Sequence, residues 1–150
     1  MGRKASRELA MKLLYQLEIQ KDDREKQIEM ALNNQSVREK DKEYILDVIY
    51  GVFKNLDKID EKIEKCSKGW KISRISRVDL SILRLGIFEL LYRDDIPSNV
   101  SINEAIEMAK KYSGQDAGSF VNGVLGKVAE DLENKKEPRQ SGENDSVREI

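Results

Sequence analysis

At 150 residues, 39% of them hydrophobic and 37% charged, the chain is long enough to bury a core and has the makeup of a soluble helical protein. A formal net charge of −1, no histidine and a single cysteine, Cys66, exclude an internal disulfide, histidine-assisted nucleophiles and the common zinc sites. No run reaches the ~18 apolar residues of a membrane span. The N-terminal cations lead into Glu8, Lys12 and Glu18 instead of a signal core, so a cytoplasmic chain without metal or cofactor is expected. Its many acids read as solvated helix faces, and an enzyme is not expected.

Residues 6 to 20 open the helical pattern, with Leu9, Ala10, Leu13, Leu14 and Leu17 at i, i+3, i+4 spacing and Ser6 placed as N-cap. Ile28, Ala31 and Leu32 mark a second helix. Ser36 to Glu39 (SVRE) has capping-box spacing ahead of a third, whose apolar face runs through Tyr44, Ile45, Val48, Ile49, Val52, Phe53 and Leu56. A bend near Asn55 precedes Ile59, Ile63 and Cys66, and Gly69 breaks the pattern again.

The stretch from Val78 to Leu91 holds nine apolar residues out of 14, too many for one stripe, so it is expected to be the central helix. Pro97 holds Ile96 out of helical geometry. Ser101 to Glu104 (SINE) supplies another capping box, with Ile102, Ala105, Ile106 and Ala109 behind it. The seventh helix is placed from about Ser119, along Phe120, Val121, Val124, Leu125, Val128 and Leu132. No alternating strand pattern survives. The fold class is all-α with about seven helices. The domain is drawn at residues 1–133, and residues 134–150, polar and without apolar period, are expected to be a disordered tail.

Five features could carry chemistry. Arg3, Lys4 and Arg7 share one side of a helix that extends back to them, and the leucine stripe would hold them outward at a fixed place. Three cations neutralise about three phosphates, which gives moderate, salt-sensitive nucleic-acid affinity. The alternative is a solvated helix start. At the turn GQDAGSFVNG, unpaired backbone N–H groups at Ser119 and Phe120 suit a phosphate, and Asp116 just before them is either part of that site or a turn former. Arg84 must bury its stem and find a carboxylate, with Glu89 and Glu104 as candidates. Trp70, Lys71 and Arg74 have the makings of a base-stacking site, although a tryptophan sealing the joint between helical halves is the plainer role. Tyr15 and Asp79 lie off the strongest stripes of their helices. Asp79, Gly86 and Arg93 are seven apart, nearly in line, and a mid-helix glycine suits close approach by a neighbouring helix or a partner.

Arg7 to Tyr15 (RELAMKLLY), Ile82 to Leu90 (ILRLGIFEL), Ile96 to Ser113 (IPSNVSINEAIEMAKKYS) and Phe120 to Leu125 (FVNGVL), in that order, resemble the NusB family of bacterial transcription antitermination factors. The resemblance covers roughly residues 3 to 130. It implies two packed helical sub-bundles and binding to the boxA segment of nascent RNA together with NusE, a small-ribosomal-subunit protein. Within an antitermination complex with RNA polymerase, that pair would promote readthrough, chiefly of ribosomal RNA operons. By the same resemblance RNA contacts fall on Arg3, Lys4, Arg7, Asp116 and Ser119, and the NusE surface includes Tyr15 and Asp79. Ala5 and Ser6 stand where some relatives carry further cations, and Ser119 where some carry a basic residue, so weak RNA binding without the partner is expected. Two rival readings stay open: a helical interaction module, such as a homodimer that hides the RNA surface, and an accessory domain of a ribosomal RNA methyltransferase. The short polar tail, with no cofactor-binding fold, weighs against the second.

Overall fold

The computed structural model describes residues 1–33 and 37–135, and among these it contains seven α-helices, one 3-10 turn and no strand. The all-α reading therefore holds. Two compact units divide the chain, Met1–Asn55 and a second beginning at Leu56.

In the first unit, α1 (Arg3–Ile19) packs against α2 (Arg24–Asn33) and α3 (Glu39–Lys54). Leu13, Leu14 and Leu17 of α1 and Ile45, Val48, Ile49 and Val52 of α3 are buried, each side chain adding about 1.5–3 kcal/mol. Helix α1 starts earlier than its apolar stripe suggests. Gly2 occupies the N-cap with extended backbone, and Ser6 lies a full turn inside, completely buried. Its single hydroxyl proton is within reach of the Gly2 carbonyl at 3.0 Å and of Asp41 Oδ1 at 3.1 Å. So Ser6 is no cap. It ties α1 to α3.

The cap position of α3 belongs to Arg38, whose side chain makes an ion pair with Asp41 at 3.0 Å. Ser36, the start of the anticipated capping box, lies outside the described residues, as do residues 136–150 of the anticipated tail. The guanidinium of Arg38 and the Ser6 hydroxyl hold the Asp41 carboxyl below its ordinary value of 3.8, against the opposing effect of burial.

The second unit comprises α4 (Leu56–Cys66), the 3-10 turn at Ile72–Arg74, α5 (Arg77–Tyr92), α6 (Ser98–Tyr112) and α7 (Gln115–Asn134). Helix α5 is the central one: every residue from Leu80 to Leu91 is buried, and α4, α6 and α7 pack on it. Ser76 caps it, its Oγ accepting the Asp79 N–H at 3.2 Å. Gly86 answers to a neighbouring helix of its own unit, since a Cβ there would stand 2.8 Å from Leu125 Cδ1 of α7. Arg84 reaches its carboxylate on α4, in a two-point pair with Asp60 at 2.9 and 2.8 Å. That residue was not among the expected partners.

Helix α6 also starts before its anticipated cap. Pro97, with φ fixed near helical values, holds the N-cap position, and Ser101 is buried inside the helix. Its hydroxyl donates to Glu89 Oε1 on α5 at 2.7 Å, satisfying part of a carboxylate that is itself completely buried.

Candidate nucleic-acid interface

Helix α1 does extend back to the N-terminal cations, but it does not present all three to solvent. Positions 7, 10, 14 and 17 fall on one face, and that face is the buried one, so Arg7 is only 4% exposed. Arg3 is half-buried with its guanidinium 4.4 Å from the centre of the Tyr44 ring, a cation–π contact that holds it in place. Lys4 is exposed. Outward charge here therefore comes from Lys4 and the accessible part of Arg3. Tyr15 lies half-buried on the same helix, between the buried Leu14 and the exposed Gln16.

The second unit gathers three of the remaining candidates. Gly114, at φ 128°, precedes α7, a backbone setting that disfavours other residues. The helix then begins at Gln115, four residues ahead of the anticipated Ser119. The amides of Ala117 and Gly118 bond to the Gly114 carbonyl at 3.1 and 3.3 Å, so the amides at the free end are those of Gln115 and Asp116. Ser119 and Phe120 lie inside the helix, where their N–H groups serve its own ladder. Asp116 sits exposed in the first turn, where the helix dipole favours an anion, and Ser119 is exposed one turn on.

A cavity of about 510 Å³ opens beside this turn, lined by Trp70, Arg74, Asp79, Asp116 and Phe120 among others. Ser119 lines a neighbouring hollow of about 190 Å³ that shares Trp70 and Phe120. The two rings meet edge-to-face, centroids 6.2 Å apart at 67°. Trp70 is 51% exposed, so it lies open beside Phe120 and is not the seal the sequence suggested. Asp79 Oδ1 is buried and has no hydrogen-bond partner among the described residues. An acceptor left in that state costs about 1–3 kcal/mol, which a donor from a bound partner would recover. Phe120, placed by its spacing on the core stripe of α7, is half-buried and contributes to both hollows. Nothing in its periodicity reveals that second role.

Among the described residues no group of three or more acids or cysteines is arranged to hold a metal ion, and no helix is long and apolar enough to cross a membrane.

A sequence model of the NusB family matches residues 4–130. The chain belongs to the NusB family. Its relatives include the transcription antitermination protein NusB of Acetivibrio thermocellus, 66% identical over 128 residues, with 85% of this chain and 88% of the relative covered. The protein of the same name from Ruminiclostridium cellulolyticum is 61% identical over 129 residues, covering 86% and 89%. Among solved structures, T. maritima NusB superposes with a TM-score of 0.81 at 37% identity, covering 97% of this chain and 98% of that one. A crystal structure of the antitermination factors NusB and NusE in complex with dsRNA contains a chain that matches with a TM-score of 0.77 at 27% identity, covering 85% and 96%. The order of the seven helices is thus that of a NusB-family scaffold.

Proposed function

We propose that this NusB-family chain is a transcription antitermination factor that binds boxA RNA together with NusE and, in a complex with RNA polymerase, promotes readthrough of ribosomal RNA operons. The observation that carries this reading is the match along 85% of the chain to a structure of NusB with NusE and dsRNA. The site chemistry supports it. Lys4 and Arg3 supply phosphate contacts from α1, and Arg7, buried on the same helix, fixes where that end of the helix stands. Asp116 and Ser119 offer an acceptor and a hydroxyl to base edges or ribose hydroxyls, which unpaired RNA exposes. Tyr15 and Asp79 face the protein partner, and Asp79 Oδ1 accepts a donor from it. The chain works by binding alone, in the cytoplasm, with no reaction and no cofactor of its own.

Few exposed cations on a nearly neutral body give weak RNA binding without help. Gel shifts of the full chain on a boxA oligonucleotide, with and without NusE, test this. The expected result is a weak shift alone and a much stronger one for the mixture, with Asp79→Asn weakening the NusE-dependent part and Lys4→Ala weakening both. If NusE adds nothing, the cooperative reading is wrong.

A further inference from the structure

From the last turns of α4 to the first residue of α5 the sequence places a cation at every third residue: Lys62, Lys65, Lys68, Lys71, Arg74 and Arg77. The same interval, residues 62 to 77, contains one acid, Glu64, in a chain whose formal charge is −1. Lys68, Lys71 and Arg74 are exposed, and no ion pair ties them to the described residues. Glu64 is the one acid set against them, its Oε2 accepting the Ile72 N–H at 3.0 Å, so the interval keeps a clear positive excess.

This segment is built, not merely solvated. Lys68 and Gly69 take positive φ values of 56° and 90° in succession, and only the second suits its residue without strain. The buried Ser67 closes the turn, its hydroxyl donating to the Trp70 carbonyl at 3.0 Å. The Trp70 indole is then held against the Phe120 ring with half its surface open. A hollow of about 370 Å³ is lined by Lys68, Gly69, Trp70, Lys71 and Arg74. A large apolar ring, held still and ringed by unpaired cations, has the composition of a stacking platform for single-stranded nucleic acid.

We infer that Trp70 stacks on an unpaired base of the bound RNA, with Lys68, Lys71 and Arg74 holding the phosphates beside it. The charge complementarity selects a polyanion, and the open aromatic face selects one whose bases are free of a duplex. The inference rests on RNA binding by this chain, and it adds a second contact surface carried wholly by residues that the family resemblance leaves unassigned.

Trp70 is the chain's only tryptophan, so its emission reports on this corner. The full chain would be titrated with a single-stranded boxA-like oligonucleotide and with its blunt duplex, with and without NusE, following emission and gel shift together. The expected result is strong quenching by the single strand and little by the duplex. Trp70→Ala should bind about tenfold more weakly, as loss of one stacked base predicts, and Trp70→Phe should keep most of the affinity. Lys71→Ala should flatten the salt dependence. If RNA shifts the protein while emission stays constant and Trp70→Ala binds normally, the stacking inference falls and the antitermination reading stands. If no RNA binds even with NusE, both fall. Quenching by NusE alone, with no further change on adding RNA, would assign Trp70 to the protein contact and overturn the inference.

Discussion

Two serines show how a single residue can carry the right local signal for the wrong reason. Ser6 and Ser101 both precede a helical stripe at capping distance, and both turn out to be buried hydroxyls inside their helices. The spacing of a capping box is also the spacing of neighbours on a helix face. What separates the two cases is a partner far along the chain, Asp41 for Ser6 and Glu89 for Ser101, and no local pattern contains it. Arg7 was misplaced for a related reason: it lines up with Arg3 and Lys4 on the helix, but equally with the buried Ala10, Leu14 and Leu17. Asp41 leads to a pH prediction. Its folded pKa lies below the ordinary value of 3.8, so the unfolded chain takes up the proton first as pH falls. The stability contributed is complete above that value and drains away as acid is added. Thermal melts between about pH 5 and pH 2 should therefore show a fall that Asp41→Asn makes shallower. An equally steep fall in the variant would remove Asp41 as a cause. The Arg84–Asp60 pair makes a second case, because the Arg84 side chain is 8% exposed and that of Asp60 23%. Arg84→Met should cost about 2 kcal/mol in urea unfolding, less than for a fully buried pair because water reaches Asp60. Adding Asp60→Asn should cost little more.

At the scale of elements, the sequence was clearest where burial was most complete. The apolar density from Val78 to Leu91 singles out α5 as central, and Gly69 and Pro97 locate the breaks on either side. Boundaries were harder, as the start of α7 shows. The turn SGQDAG contains two glycines, and only one of them ends it. Gly114 takes a φ of 128° and opens the helix, whereas Gly118 is a buried helical residue whose Cβ would stand 2.9 Å from Lys110 Cγ. One glycine serves the backbone and the other serves packing, and sequence alone does not distinguish them. Gly86 belongs to the second kind. Alanine there would gain about 1 kcal/mol of helix propensity, offset by its contact with Leu125. Valine adds more bulk with β-branching and should lower stability by about 2 kcal/mol. If the Leu125 contact is responsible, Gly86→Val should cost less in a Leu125→Ala background than alone, read as the coupling in a double-mutant cycle by urea denaturation. Equal costs would place the strain elsewhere in α5.

Over the whole molecule, a net charge near zero conceals strong segregation. Of the second unit's residues, the interval from 62 to 77 carries six cations and one acid, while the remainder from Leu56 onward is acidic on balance. A distant polyanion thus meets almost no net attraction, and within about a Debye length, ~8 Å at physiological salt, it meets two local positive corners. That arrangement favours capture of RNA already delivered by a partner over capture from bulk solution, which is the physical case for dependence on NusE. It also makes the salt dependence of binding a map of the interface. Each phosphate neutralised on a single strand contributes about −0.7 to the slope of log affinity against log salt. Lys4 stands on α1 of the first unit and Lys71 before the 3-10 turn of the second, and if each engages its own phosphate their losses add. Measured on boxA RNA with NusE present, Lys4→Ala and Lys71→Ala should each flatten the slope by about 0.7, and the double variant by about 1.4. A slope that one substitution leaves untouched removes that corner from the interface, and a double variant no flatter than either single one would mean that both cations serve the same phosphate.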